Sequence, residues 1–117
     1  MKIQAIMLSA TLGLFGQSAS AACDYPTKID IPNGAAATQE EMIEGQKAVK
    51  QYMADMNTFL DCIEAESKAT MAEDEASEAK AEREAILSKR HNAAVDEMET
   101  VAADFNDAVR AYKARQE

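Results

Sequence analysis

The amino-acid sequence predicts an all-α protein: two long amphipathic helices forming an antiparallel hairpin, with an extended N-terminal arm stapled to it by a disulfide. Three observations carry this expectation. Apolar residues recur every seven positions in two separate stretches, residues 42–63 and 87–112, which is the beat of helices packed side by side. Both prolines, Pro26 and Pro32, fall in a short segment ahead of the first stretch. The only two cysteines are Cys23, in that segment, and Cys62, in the first stretch.

Residues 1–22 read as a signal peptide. Lys2 supplies a positive start, Ile3 to Phe15 are mostly apolar, and Ala19-Ser20-Ala21-Ala22 offers small residues to a signal peptidase. Cleavage after Ala21 and cleavage after Ala22 fit equally, and the apolar run is too short for a stable membrane span. The expected destination is therefore the periplasm or the medium. Cys23 also permits a lipoprotein, in which that cysteine carries the lipid. Against this, Ser20 stands where lipoprotein signals usually hold an aliphatic residue, and Cys62 would be left as an odd thiol in an oxidising compartment.

Residues 23–37 form the arm. Proline disfavours helical geometry in the residue before it, and Pro32-Asn33-Gly34 has the composition of a turn. Ile29 and Ile31 give the arm apolar surface to lay on a neighbour. The helical hairpin, residues 38–117, then opens with Thr38-Gln39-Glu40-Glu41, a capping box in which the Thr38 hydroxyl and the Glu41 carboxylate each satisfy a backbone amide. Met42, Val49, Met56 and Ile63 hold one heptad position, and Tyr52 and Phe59 the position three further on. Met53 and Leu60 widen the stripe, and Gly45 interrupts it where the arm can approach closely.

The second helix repeats the beat. His91, Met98, Phe105 and Tyr112 are seven apart, with Leu87, Ala94, Val101 and Ala108 between them and Val95, Ala102 and Val109 broadening the face. Arg110, Lys113 and Arg115 sit in the last turns, where cations complement the helix dipole. Residues 64–85 keep helical propensity but lose the stripe. A reversal is expected near Glu73-Asp74-Glu75, with Asp74 or Ser77 capping the second helix; the alternative is one continuous helix. The hairpin is favoured because each stripe needs a partner and each supplies one.

The disulfide is sterically feasible in this scheme. Cys62 stands roughly 36 Å along the first helix from Thr38, and the 15-residue arm reaches about 50 Å when extended. Two helices alone bury little surface, so the staple matters, and a homodimer forming a four-helix bundle would add as much.

No constellation for catalysis stands out, and no enzyme activity is expected. There is no CxxC, no CxxCH and no glycine-rich phosphate loop, so no cofactor is implied. His91 has no histidine or cysteine near it and reads as a partly buried residue of the helix face. Met53 and Met56 place two thioethers on one face, which suits Cu(I), although methionine also fills helical cores and these two follow the heptad. Glu73-Asp74-Glu75 lacks the glycine turn of a calcium loop. Residues 23–117 hold all 21 acidic side chains and every Lys and Arg but Lys2, one unit more negative than the −9 of the whole chain. That charge excludes nucleic acid and anionic membrane surfaces as partners and favours solubility.

Cys23, Pro26, Pro32 and Gly34, the capped helix with Tyr52 and Leu60-Asp61-Cys62, and the run DEMETVAADFNDAVRAYKAR at 96–115 together resemble small exported helical proteins of Gram-negative bacteria whose function is unknown. The resemblance implies a Cys23–Cys62 pairing and no particular activity. The functional expectation is a non-enzymatic interaction or structural module in the envelope, with an unidentified envelope protein as partner. The alternatives are a periplasmic binder of a cation or small ligand and, if Cys23 carries lipid, a membrane-anchored spacer.

Overall fold

The computed structural model describes residues 23–71 and 75–116. The expected signal peptide, and Glu73 and Asp74 of the expected reversal, lie outside the described residues. Two helices form the frame, α1 (Gln39–Ala69) and α2 (Ser77–Gln116). Their contacts run in opposite order along the two chains: Arg90 meets Glu66 near the reversal, while Phe105 lies beside Gly45 toward the other end. The pair is an antiparallel hairpin.

α1 begins as its sequence dictates. Thr38 has extended backbone (φ −76°, ψ 165°); its hydroxyl accepts from the Glu41 amide at 3.1 Å, and the Glu41 carboxylate accepts from the Thr38 amide at 2.7 Å. Two orphan donors are thus satisfied, which is worth about 1 kcal/mol in typical caps. At the far end the Thr70 and Met71 amides close on the Glu66 and Lys68 carbonyls. Of the two expected caps of α2, Asp74 lies outside the described residues and Ser77 does not stand at the cap position. The Lys80 amide bonds the Ala76 carbonyl, which puts Ala76 at the cap position and Ser77 inside the first turn.

The arm forms a third layer. It leaves Cys23, which is bonded to Cys62 with their Cα atoms 5.7 Å apart, and runs back along α1 until Pro32 reaches Gly45. Nine arm residues thereby match 17 helical ones, as expected when extended chain rises about 3.3 Å and helix about 1.5 Å per residue. The arm ends in a turn at Asn33, one residue later than Pro32-Asn33-Gly34 suggests. Its carbonyl accepts from the Ala36 and Ala37 amides, and its side-chain oxygen from the Ala35 amide at 3.1 Å.

The core follows the heptads unequally. Met56 and Ile63 are fully enclosed, with Tyr52, Phe59, Ala94 and Val101 around them and Ile29, Ile31 and Leu87 packed against the group. A second cluster at the open end joins Ala37, Met42 and Ala108. From α2 the buried line is the small-residue one, Ala94, Val101 and Ala108; His91, Met98, Phe105 and Tyr112 are only half-buried. Small residues let the arm and α1 approach the α2 backbone closely. Gly34 shows how closely: a Cβ there would lie 1.8 Å from the Ala108 carbonyl oxygen.

Candidate functional site

Among the described residues apolar surface is left uncovered at both ends of the hairpin, and also on the arm, where Tyr25 is half-exposed. Near the reversal an open cleft of about 250 Å³ lies between the end of α1 and the start of α2, with Ile63, Ile86 and Leu87 as its apolar wall. Ile86 is 52 % exposed. Two arginines border this cleft and both are held by the fold. Arg83 donates to the Glu75 carboxylate at 2.8 and 3.2 Å and to the Ser67 hydroxyl at 3.2 Å. Those hydrogen bonds hold the Glu75 carboxyl below the ordinary carboxylate range, with desolvation opposing. Arg90 pairs with Glu66 at 3.1 Å and lies over the Phe59 ring, whose edge Tyr25 meets in a T-shaped contact. The arginines therefore tie α2 to α1, and the Phe59 ring carries the link on to the arm at Tyr25.

The second place is the open end, where α1 starts and α2 finishes. A groove of about 260 Å³ is lined by Met42, Ile43, Phe105, Val109 and Tyr112, with Gln39 and Gln46 at its edge. Ile43 is 44 % exposed. The adjoining turn is fixed by Arg115, whose guanidinium donates to the carbonyls of Gly34 and Ala37 and stacks on Tyr112. The sequence offers Arg115 as a cation at a helix end; its hold on the arm turn, about 80 residues away, has no local signal.

Cys23 and Cys62 are bonded to each other. Met53 is half-buried and packs against the core, and Met56 is sealed within it, so the two thioethers do not face solvent together. His91 is half-buried on α2. Among the described residues there is no group of three or more His, Cys, Asp or Glu side chains placed to hold a metal ion, and no helix is long and apolar enough to cross a membrane. One polar atom stands out: the Tyr52 hydroxyl is buried without a hydrogen-bond partner. Burial, then the Glu97 carboxylate, then Tyr25, push its pKa above the usual tyrosine value. No family model, curated protein or solved structure matches the chain.

Proposed function

We propose that the protein is a non-enzymatic interaction module of the periplasm or cell envelope, presenting a stapled helical hairpin to a protein partner. The observation that carries this reading is the pairing of rigid internal fastening with uncovered apolar surface. The disulfide, the capping box and the engaged arginines hold three layers together, while Ile43 and Ile86 remain exposed at opposite ends. Isolated exposed apolar residues are ordinary, but each of these borders a concave apolar surface. A disulfide between two layers fits an oxidising compartment. The Cys23 sulfur, once bonded to Cys62, has no valence for a thioether-linked lipid, which favours the unanchored form.

A second reading, binding of a small amphiphilic ligand, draws on the cleft beside Ile63, Ile86 and Leu87. The copper version of that reading is disfavoured by the enclosed Met56 side chain. Photo-crosslinking in cells tests the main proposal: a photoreactive residue at Ile43 or Ile86 is expected to give a discrete adduct, and one at exposed Glu64 none. Equal labelling at all three positions, or none at any, overturns the interaction reading. A raised thermal midpoint with a fatty acid or a metal ion would favour the ligand reading instead.

A further inference from the structure

We propose that the groove at the open end of the hairpin is a two-fold interface and that its occupant is a second copy of this chain. This rests on the interaction-module reading and names a partner for it. The groove carries both halves of a contact: Ile43 projects at its rim, and Phe105, Val109 and Tyr112 form its floor. A two-fold axis through the patch sets the Ile43 of each copy over the floor of the other, the self-complementarity that an isologous interface requires.

Charge selects the same occupant. Residues 39–50 and 104–116, which build this end, carry five acidic and five basic side chains, in a chain whose net charge is −9. The excess negative charge lies elsewhere. Two copies meeting through most of the remaining surface bring like charge against like charge, whereas the open end meets its own image at neutrality. A strongly cationic partner, which the rest of the molecule would attract, gains nothing there. Joining four helices compensates for a thin core: among the described residues, three of the nine buried apolar ones are alanine.

Sedimentation equilibrium of the protein, purified with its disulfide intact, tests the proposal. The wild type is expected at twice the chain mass. Ile43→Glu is expected to weaken self-association at least about tenfold, the effect of losing one central apolar contact. Gln46→Glu, which adds like charge across the two-fold axis without touching the core, should weaken it in the same direction. Ile86→Glu, at the other end, should leave the dimer intact, and helical circular dichroism should be unchanged in all three. A wild type that stays monomeric up to about 100 μM, or a dimer indifferent to both groove variants, overturns the inference. A monomeric wild type that still forms a discrete adduct with another protein at Ile86 overturns the second-copy inference alone and leaves the module reading standing.

Discussion

The Arg115 guanidinium donates to the Ala37 carbonyl at 2.8 Å, joining the last turn of α2 to the residue before the α1 cap. Its second bond, 3.0 Å to the Gly34 carbonyl, spans the same turn from the other side. Both acceptors are backbone groups, Gly34 and Ala37 are both buried, and the donor is charged. The contact therefore closes the open end of the hairpin around the arm.

Arg115→Ala should accordingly lower stability by about 1 kcal/mol, the low end for charge-assisted bonds because the side chain itself is exposed. Amide exchange is expected to accelerate more at Ala36 and Ala37 than at Tyr52. Arg115→Lys should recover only part of the loss, since an ammonium lacks the planar fork that reaches two carbonyls. Unchanged stability with no acceleration at Ala36 or Ala37 would show the contact to be incidental.

The two buried glycines differ in what a methyl group would meet. Neither has a positive φ, so backbone strain is not the issue. At Gly34 the added carbon runs into the Ala108 backbone, which α2 holds rigidly; at Gly45 it meets the Pro32 ring at 2.7 Å, carried on the extended arm. Gly34→Ala should cost about 3 kcal/mol, the upper part of the overpacking range. Gly45→Ala should cost about 1 kcal/mol, because the arm can shift and alanine returns helix propensity. Urea titration of the two variants gives the order directly, and the reverse order would mean that the arm, not α2, is the rigid partner.

These positions also show what the sequence makes legible. The heptads of α1 mark Met42, Val49, Tyr52, Met56, Phe59 and Ile63, and all but half-buried Val49 are buried, because a helix flanked by two layers has one inner face. On α2 two lines share the same seven-residue period, Leu87, Ala94, Val101, Ala108 and His91, Met98, Phe105, Tyr112, and the period alone does not rank them. The structure buries Ala94, Val101 and Ala108, since the arm needs room that only small side chains leave. The capping box at Thr38 is legible because it is local. The Arg115 contact and the exposed ends at Ile43 and Ile86 are not, because both depend on where the arm stops.

Loss of the disulfide should be the largest single effect. It closes a loop with its ends 39 residues apart, for which the chain-entropy model gives about 4 kcal/mol. The double variant Cys23→Ser, Cys62→Ser is expected to lower the thermal midpoint, and protease should cut the arm near Tyr25 before it cuts either helix. The arm's other end stays fastened at Pro32 and Arg115. An unchanged midpoint would mean that packing of Ile29 and Ile31 already fixes the arm without the bond.

Tyr52 sets a limit to stability in alkali. Its hydroxyl is buried, and burial, Glu97 and Tyr25 raise its pKa in the folded chain; half-exposed Tyr25 moves the same way through burial and Glu97. The unfolded chain ionises its tyrosines near pH 10. From there upward the unfolded state holds fewer protons than the folded one, so stability falls with rising pH. Stability from this source is complete below about pH 10 and is lost as pH climbs through the raised folded value. Tyr52→Phe removes the buried hydroxyl, which has no protein partner to lose, so its cost at neutral pH should be small. The variant should also unfold at higher pH than the wild type when helicity is followed through an alkaline titration. A variant that unfolds at the same pH would transfer the alkaline limit to Tyr25, and a large loss at neutral pH would show that the hydroxyl is hydrogen-bonded after all.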